Sequence, residues 1–136
     1  MPPRTPQTAE RRHNRPVPLA AVALGGLLGS AARIGVAAVF ASEGFPVAVL
    51  VVNLLGSFLL GLYVALRQRA VVRRGSPRFW AIGVLGSFTT FATFSVDLIR
   101  LGTENGVISI AAYVVTSVLG GLSVALLGMR IGGLRP

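Results

Sequence analysis

The chain has no cysteine, no lysine and a single histidine. Without cysteine, disulfides and thiolate metal sites are excluded. The histidine, His13, sits in a polar N-terminal tail, so neither a Ser-His-Asp arrangement nor a histidine zinc site has its parts. No nucleophile is paired with a base, which makes an enzyme the least favoured class. Acidic residues number 4 against 13 basic ones, and every basic residue is arginine. Charge is scarce altogether, at 12% of 136 residues, while 53% are hydrophobic and the mean hydropathy is +0.74. A soluble domain of this size is rarely so apolar. A net charge of +9 can suggest a nucleic-acid partner. Here the arginines gather at the ends of apolar runs, which fits membrane topology instead.

Four apolar spans are legible, at about residues 17–41, 45–66, 79–101 and 107–129. Each is long enough to cross a bilayer. Residues 1–16 form a basic, proline-containing tail that is expected to be disordered. The expected fold is therefore an all-α integral membrane protein of four transmembrane helices, residues 17–136, with short links and no soluble domain. Arg4, Arg11, Arg12 and Arg15 lie in the tail, and Arg67, Arg69, Arg73, Arg74 and Arg78 in the second link. Arg130 and Arg135 close the chain, whereas only Arg100 flanks the third link. The positive-inside rule then predicts a multi-pass protein of the cell membrane with both termini cytoplasmic.

The chain is organised around the middle of the third span, residues 83–97. Gly83, Gly86, Ser87, Thr89, Thr90, Thr93 and Ser95 are poor choices for a lipid-facing surface. Phe88, Phe91 and Phe94 recur every third residue, which clusters them on one side of a helix. Residues 86–89 suggest a helix break, because glycine permits conformations that other residues resist. Backbone freed at membrane depth survives only where protein or water covers it.

The other spans carry narrow small or polar stripes. Gly25 and Gly29 suit close helix packing of the GxxxG kind. Arg33 continues the same face, and an arginine there either meets a partner or wet cavity or snorkels to the interface. Asn53, Ser57 and Gly61 fall at four-residue steps with Gly56 beside them, as do Tyr113, Ser117 and Gly121 on the last span. These are neutral donors or amphoteric groups, joined by Thr90 and Thr93. The one intramembrane acid, Asp97, lies near the outer end of its span. A cation pathway or proton relay would place carboxylates deeper. Hydroxyl and amide groups beside phenyl rims, which are weakly positive, suit a small anion.

At this point the residues resemble the Fluc (CrcB) fluoride channels. The resemblance rests on Gly25-Gly-Leu-Leu-Gly-Ser-Ala-Ala-Arg33, on Asn53-Leu-Leu-Gly-Ser-Phe-Leu-Leu-Gly61, and on the Thr-Thr-Phe-Ala-Thr-Phe run of the third span. It covers all four spans. It implies an antiparallel, dual-topology dimer with two fluoride pores, a break in the third helix and a structural sodium ion at the dimer centre. Phe91 and Phe94 would be the pore phenylalanines and Asn53 the pore asparagine, with Thr93, Tyr113 and Ser117 on the polar track. Gly86 and Thr89 would give backbone carbonyls to sodium. Ala92 stands where serine is common in the family, and Asp97 where glutamate is common.

An antiparallel homodimer needs one sequence to insert both ways, and the arginine bias here opposes that. The expected partner is a related chain of opposite bias, with a homodimer as the alternative. Two other functions compete. Small proton-coupled four-helix exporters resemble one another in a membrane-embedded glutamate on the first helix, and residues 17–41 contain no acid. A scaffold held by small-residue packing explains the glycines, but not phenylalanines interleaved with threonines.

Overall fold

The structure is a computed structural model that describes residues 19–42, 44–69 and 77–134. The N-terminal tail, Arg73, Arg74 and Arg135 lie outside the described residues. The described chain is all-helical. Helix α1 spans Leu19–Val39 and α2 spans Val47–Gln68. The third crossing runs Arg78–Glu104 in three pieces. These are α3, a wide-wound π-helix over Arg78–Leu85, a single turn α4 over Gly86–Phe88, and α5 over Phe91–Glu104. Helix α6 spans Val107–Ile131. All four crossings have the length and apolarity to span a membrane.

The crossings assemble as two tight parallel pairs. Helix α2 lies along α6 and α1 lies along α3. The pairs form because small residues let backbones meet. A Cβ on Gly61 would strike the Ala125 carbonyl, and one on Gly128 would strike the Phe58 carbonyl. Ser57 faces Gly121 one turn earlier, and Ala65 faces Gly132 one turn later. The two four-residue stripes seen in the sequence thus face each other. On the other side, Gly25 meets Gly83 and the Phe79 carbonyl, while Gly29 meets Val84 and Phe88. Arg33 lies four residues on, half-buried.

Only Val52, Ala65, Phe88, Leu101 and Tyr113 are buried large or aliphatic side chains among the described residues. Leucines, valines and isoleucines on all four crossings are exposed. Hydrocarbon is the solvent that such a surface fits, since lipid tails are as apolar as leucine.

Candidate functional site

The third crossing is interrupted at Thr89 and Thr90, not across residues 86–89. Gly86 is helical, at φ −66° and ψ −28°. Thr89 and Thr90 are extended, at φ −76°, ψ 155° and φ −143°, ψ 122°. Both values of φ are negative, so the break needs no glycine. Side chains make it instead. The Thr90 hydroxyl caps α5 by accepting from the Thr93 N–H at 3.2 Å, and it pairs with the Thr93 hydroxyl at 3.1 Å. Threonine is a favourable helix N-cap for this reason. Asn53, on α2, then grips Thr90 at two points. Its Oδ1 accepts from the Thr90 N–H at 2.9 Å, and its Nδ2 donates to the Thr90 carbonyl at 3.1 Å. An otherwise orphaned donor and acceptor are both satisfied at membrane depth.

A cavity of about 340 Å³ opens beside the break. It is lined by Asn53, Ser57, Leu60, Ala81, Leu85, Gly86, Thr89, Thr90 and Phe91. Gly86 and Phe91 are exposed, and Phe91 is 80% exposed. Gly56 sits directly behind, where a Cβ would strike the Thr89 methyl and lie 3.2 Å from the Phe88 ring. The break has opposite polarity on its two sides. The end of α4 presents carbonyl oxygens, and the start of α5 presents N–H groups with no intrahelical acceptor. Such ends favour a cation and an anion respectively.

The interruption also separates the phenylalanines. Phe88 is buried against Gly56, so it does not share a face with the other two. The expected three-residue cluster holds only for Phe91 and Phe94, whose ring centroids are 5.9 Å apart at 32°. Phe94 continues to Tyr113 at 5.0 Å, and Tyr113 meets Phe45 edge-on at 5.5 Å. Tyr113 is wholly buried, and its hydroxyl donates to Asp97 Oδ2 at 3.2 Å. The hydroxyl is therefore committed to a carboxylate.

Of the sequence-selected residues, Asn53, Gly86, Thr89 and Phe91 line one cavity. Phe94 and Tyr113 form the adjoining aromatic row, and Thr93 joins through Thr90. Ser117 lies one turn before Gly121, on the α6 stripe that faces the stripe of Asn53 and Ser57 on α2. Its hydroxyl is buried with no partner in the subunit. A buried polar atom left unpaired is unusual and marks a place where something else is needed. Thr90 is the residue whose role sequence reasoning missed, although Thr90-x-x-Thr93 is a legible capping pattern. Ser57 of the α2 stripe also lines the cavity, as do Leu60, Ala81 and Leu85, which carry no sequence signal of their own.

Residues 20–129 match the family described as CrcB-like protein, Camphor Resistance (CrcB). The chain is similar to a protein of Thermus thermophilus, at 42% identity over 115 residues, covering 82% of this chain and 92% of the relative. It is similar to one of Deinococcus radiodurans, at 43% over 117 residues, covering 82% and 91%. A third relative, from Idiomarina loihiensis, is 38% identical over 101 residues, covering 72% and 78%. All three relatives are named fluoride-specific ion channel FluC.

Proposed function

The chain belongs to the CrcB family, and on that premise we propose that it is one subunit of a fluoride channel that lets fluoride leave the cell and lowers its toxicity. The family is one of ion channels and not of enzymes. The observation that carries the reading is the interrupted third crossing. A break held open by side chains, in an otherwise apolar span, beside neutral donors and an exposed phenylalanine, is a surface suited to a dehydrated anion. Phe91 and Phe94 offer ring edges to fluoride, and hydroxyl and amide groups from Thr93, Asn53 and Ser117 complete its shell. Tyr113 borders this track through its ring. Because Phe91 is 80% exposed, one subunit leaves the track unwalled on that side. A second, antiparallel subunit supplies the missing wall.

The donor set at the break also suits a structural, non-transported sodium ion at the dimer centre. Gly86 is exposed and Thr89 is extended, so their neutral carbonyl oxygens are open to a hard cation. One subunit offers too few ligands, which supports a site shared by two copies of the break. Sodium there ties the subunits together. The arginine bias favours cytoplasmic termini in the cell membrane, and a partner of opposite bias over a homodimer. The test is fluoride efflux from liposomes holding this chain alone, with sodium and with sodium replaced. Sodium-supported, fluoride-selective efflux establishes the channel and its independence of a second chain. Efflux only with an opposite-bias chain supports the heterodimer. No fluoride movement in either case refutes the reading.

A further inference from the structure

We infer that Asn53 and Thr90 are the positioning residues that strip the helical partners from the Gly86 and Thr89 carbonyls, and so create the cation site from inside one subunit. The inference rests on the sodium reading above.

In an α-helix each carbonyl accepts from the N–H four residues on. For Gly86 that donor is the Thr90 N–H, and for Thr89 it is the Thr93 N–H. Both are diverted. The Thr90 N–H goes to Asn53 Oδ1 at 2.9 Å, and the Thr93 N–H goes to the Thr90 hydroxyl at 3.2 Å. The rung just before is still in place, because the Thr89 N–H donates to the Leu85 carbonyl at 3.2 Å. The ladder therefore opens where these two side chains intercept it. The second contact of Asn53, from Nδ2 to the Thr90 carbonyl at 3.1 Å, holds Thr90 extended and pins the break to α2. Asparagine suits this task through a donor and an acceptor on one short planar group. Aspartate would set a carboxylate against the Thr90 carbonyl, and leucine would offer neither contact. Asn53 keeps one further N–H, so lining the cavity and holding the break are compatible roles.

The test uses the full-length chain in lipid nanodiscs, comparing its melting temperature in sodium and in N-methylglucamine. Wild type is expected to be stabilised by sodium, with a measurable half-saturating concentration. T90V is expected to raise that concentration by about tenfold, the equivalent of one lost hydrogen bond, and N53A, which removes two, by more. G35A, where nothing lies within 4 Å of the added Cβ, is expected to leave it unchanged. Unaltered sodium dependence in N53A and T90V overturns the inference, because a purely pore-lining asparagine would change flux alone. If N53A does not fold, T90V and a wild-type measurement decide. That measurement is solid-state NMR dipolar dephasing between the Asn53 side-chain nitrogen and the Thr90 carbonyl carbon. Strong dephasing supports the grip, and its absence overturns it. A wild type with the grip but no sodium stabilisation refutes the sodium reading and leaves Asn53 as a holder of the break.

Discussion

Adding one methyl group to Gly61 separates α2 from α6. The Cβ of G61A falls against the Ala125 carbonyl oxygen, 2.9 Å from its carbon and 3.1 Å from the Ala125 Cα. Ordinary carbon contacts lie at about 3.5–4.0 Å. The obstacle is backbone, so no side chain can swing aside and the helices must part by roughly 1 Å. Overpacking of this kind costs about 1–3 kcal/mol. A gap of that size also forfeits a quarter to a half of each dispersion contact along the seam, which places G61A near about 3 kcal/mol. The control is G35A. Nothing lies within 4 Å of a Cβ there, so it keeps the gain of up to about 1 kcal/mol from replacing glycine in a helix. The two variants add the same methyl group, yet their stabilities are expected to differ by about 3–4 kcal/mol, the sum of those two effects. Denaturant or thermal unfolding of the purified chain, followed by fluorescence or by size exclusion, measures the gap. Equal stability of G61A and G35A, within about 0.5 kcal/mol, would refute the parallel, backbone-to-backbone seam.

Other consequences are open to the same assays. F88A removes a buried ring packed on Gly56 and is expected to lose about 3–5 kcal/mol, whereas F91A removes an exposed one, leaving subunit stability nearly unchanged while abolishing fluoride efflux from liposomes. Y113F keeps the ring row but deletes the bond to Asp97, and a loss of about 0.5–1.5 kcal/mol is expected by the same unfolding measurement. G133A places a side chain at φ +83° and against Arg69, so it is expected to lose about 1–2 kcal/mol. G133N is expected to be milder in a parallel melt, because asparagine tolerates this conformation better.

The similar hydrophobic patterning of the four crossings hides different neighbours. The stripe position of Asn53 favours an interhelical hydrogen bond over a lining amide. Asn53 makes both ends of its amide available to Thr90 while lining the cavity, so the two readings describe one position. Phe88 read like Phe91 and Phe94 because all three share a spacing. Two extended residues between Phe88 and Phe91 cancel that spacing and turn Phe88 inward. Gly86 drew the break to itself as the residue able to tolerate one, yet the chain turns three and four residues later with ordinary negative φ.

By itself the sequence determined the class of molecule: four membrane-crossing helices, the small-residue faces, the special third span and the family. These follow from composition and from spacing within a helix, which are local quantities that hydropathy and side-chain size express directly. Only the tertiary structure decided which small-residue face met which, that the two seams are parallel, and where the third span opens. Those outcomes depend on contacts between residues far apart in the chain, such as Asn53 with Thr90 and Gly61 with Ala125. A carbonyl at membrane depth is left free only when another group takes the N–H meant for it, and periodicity within one span does not encode where that group comes from.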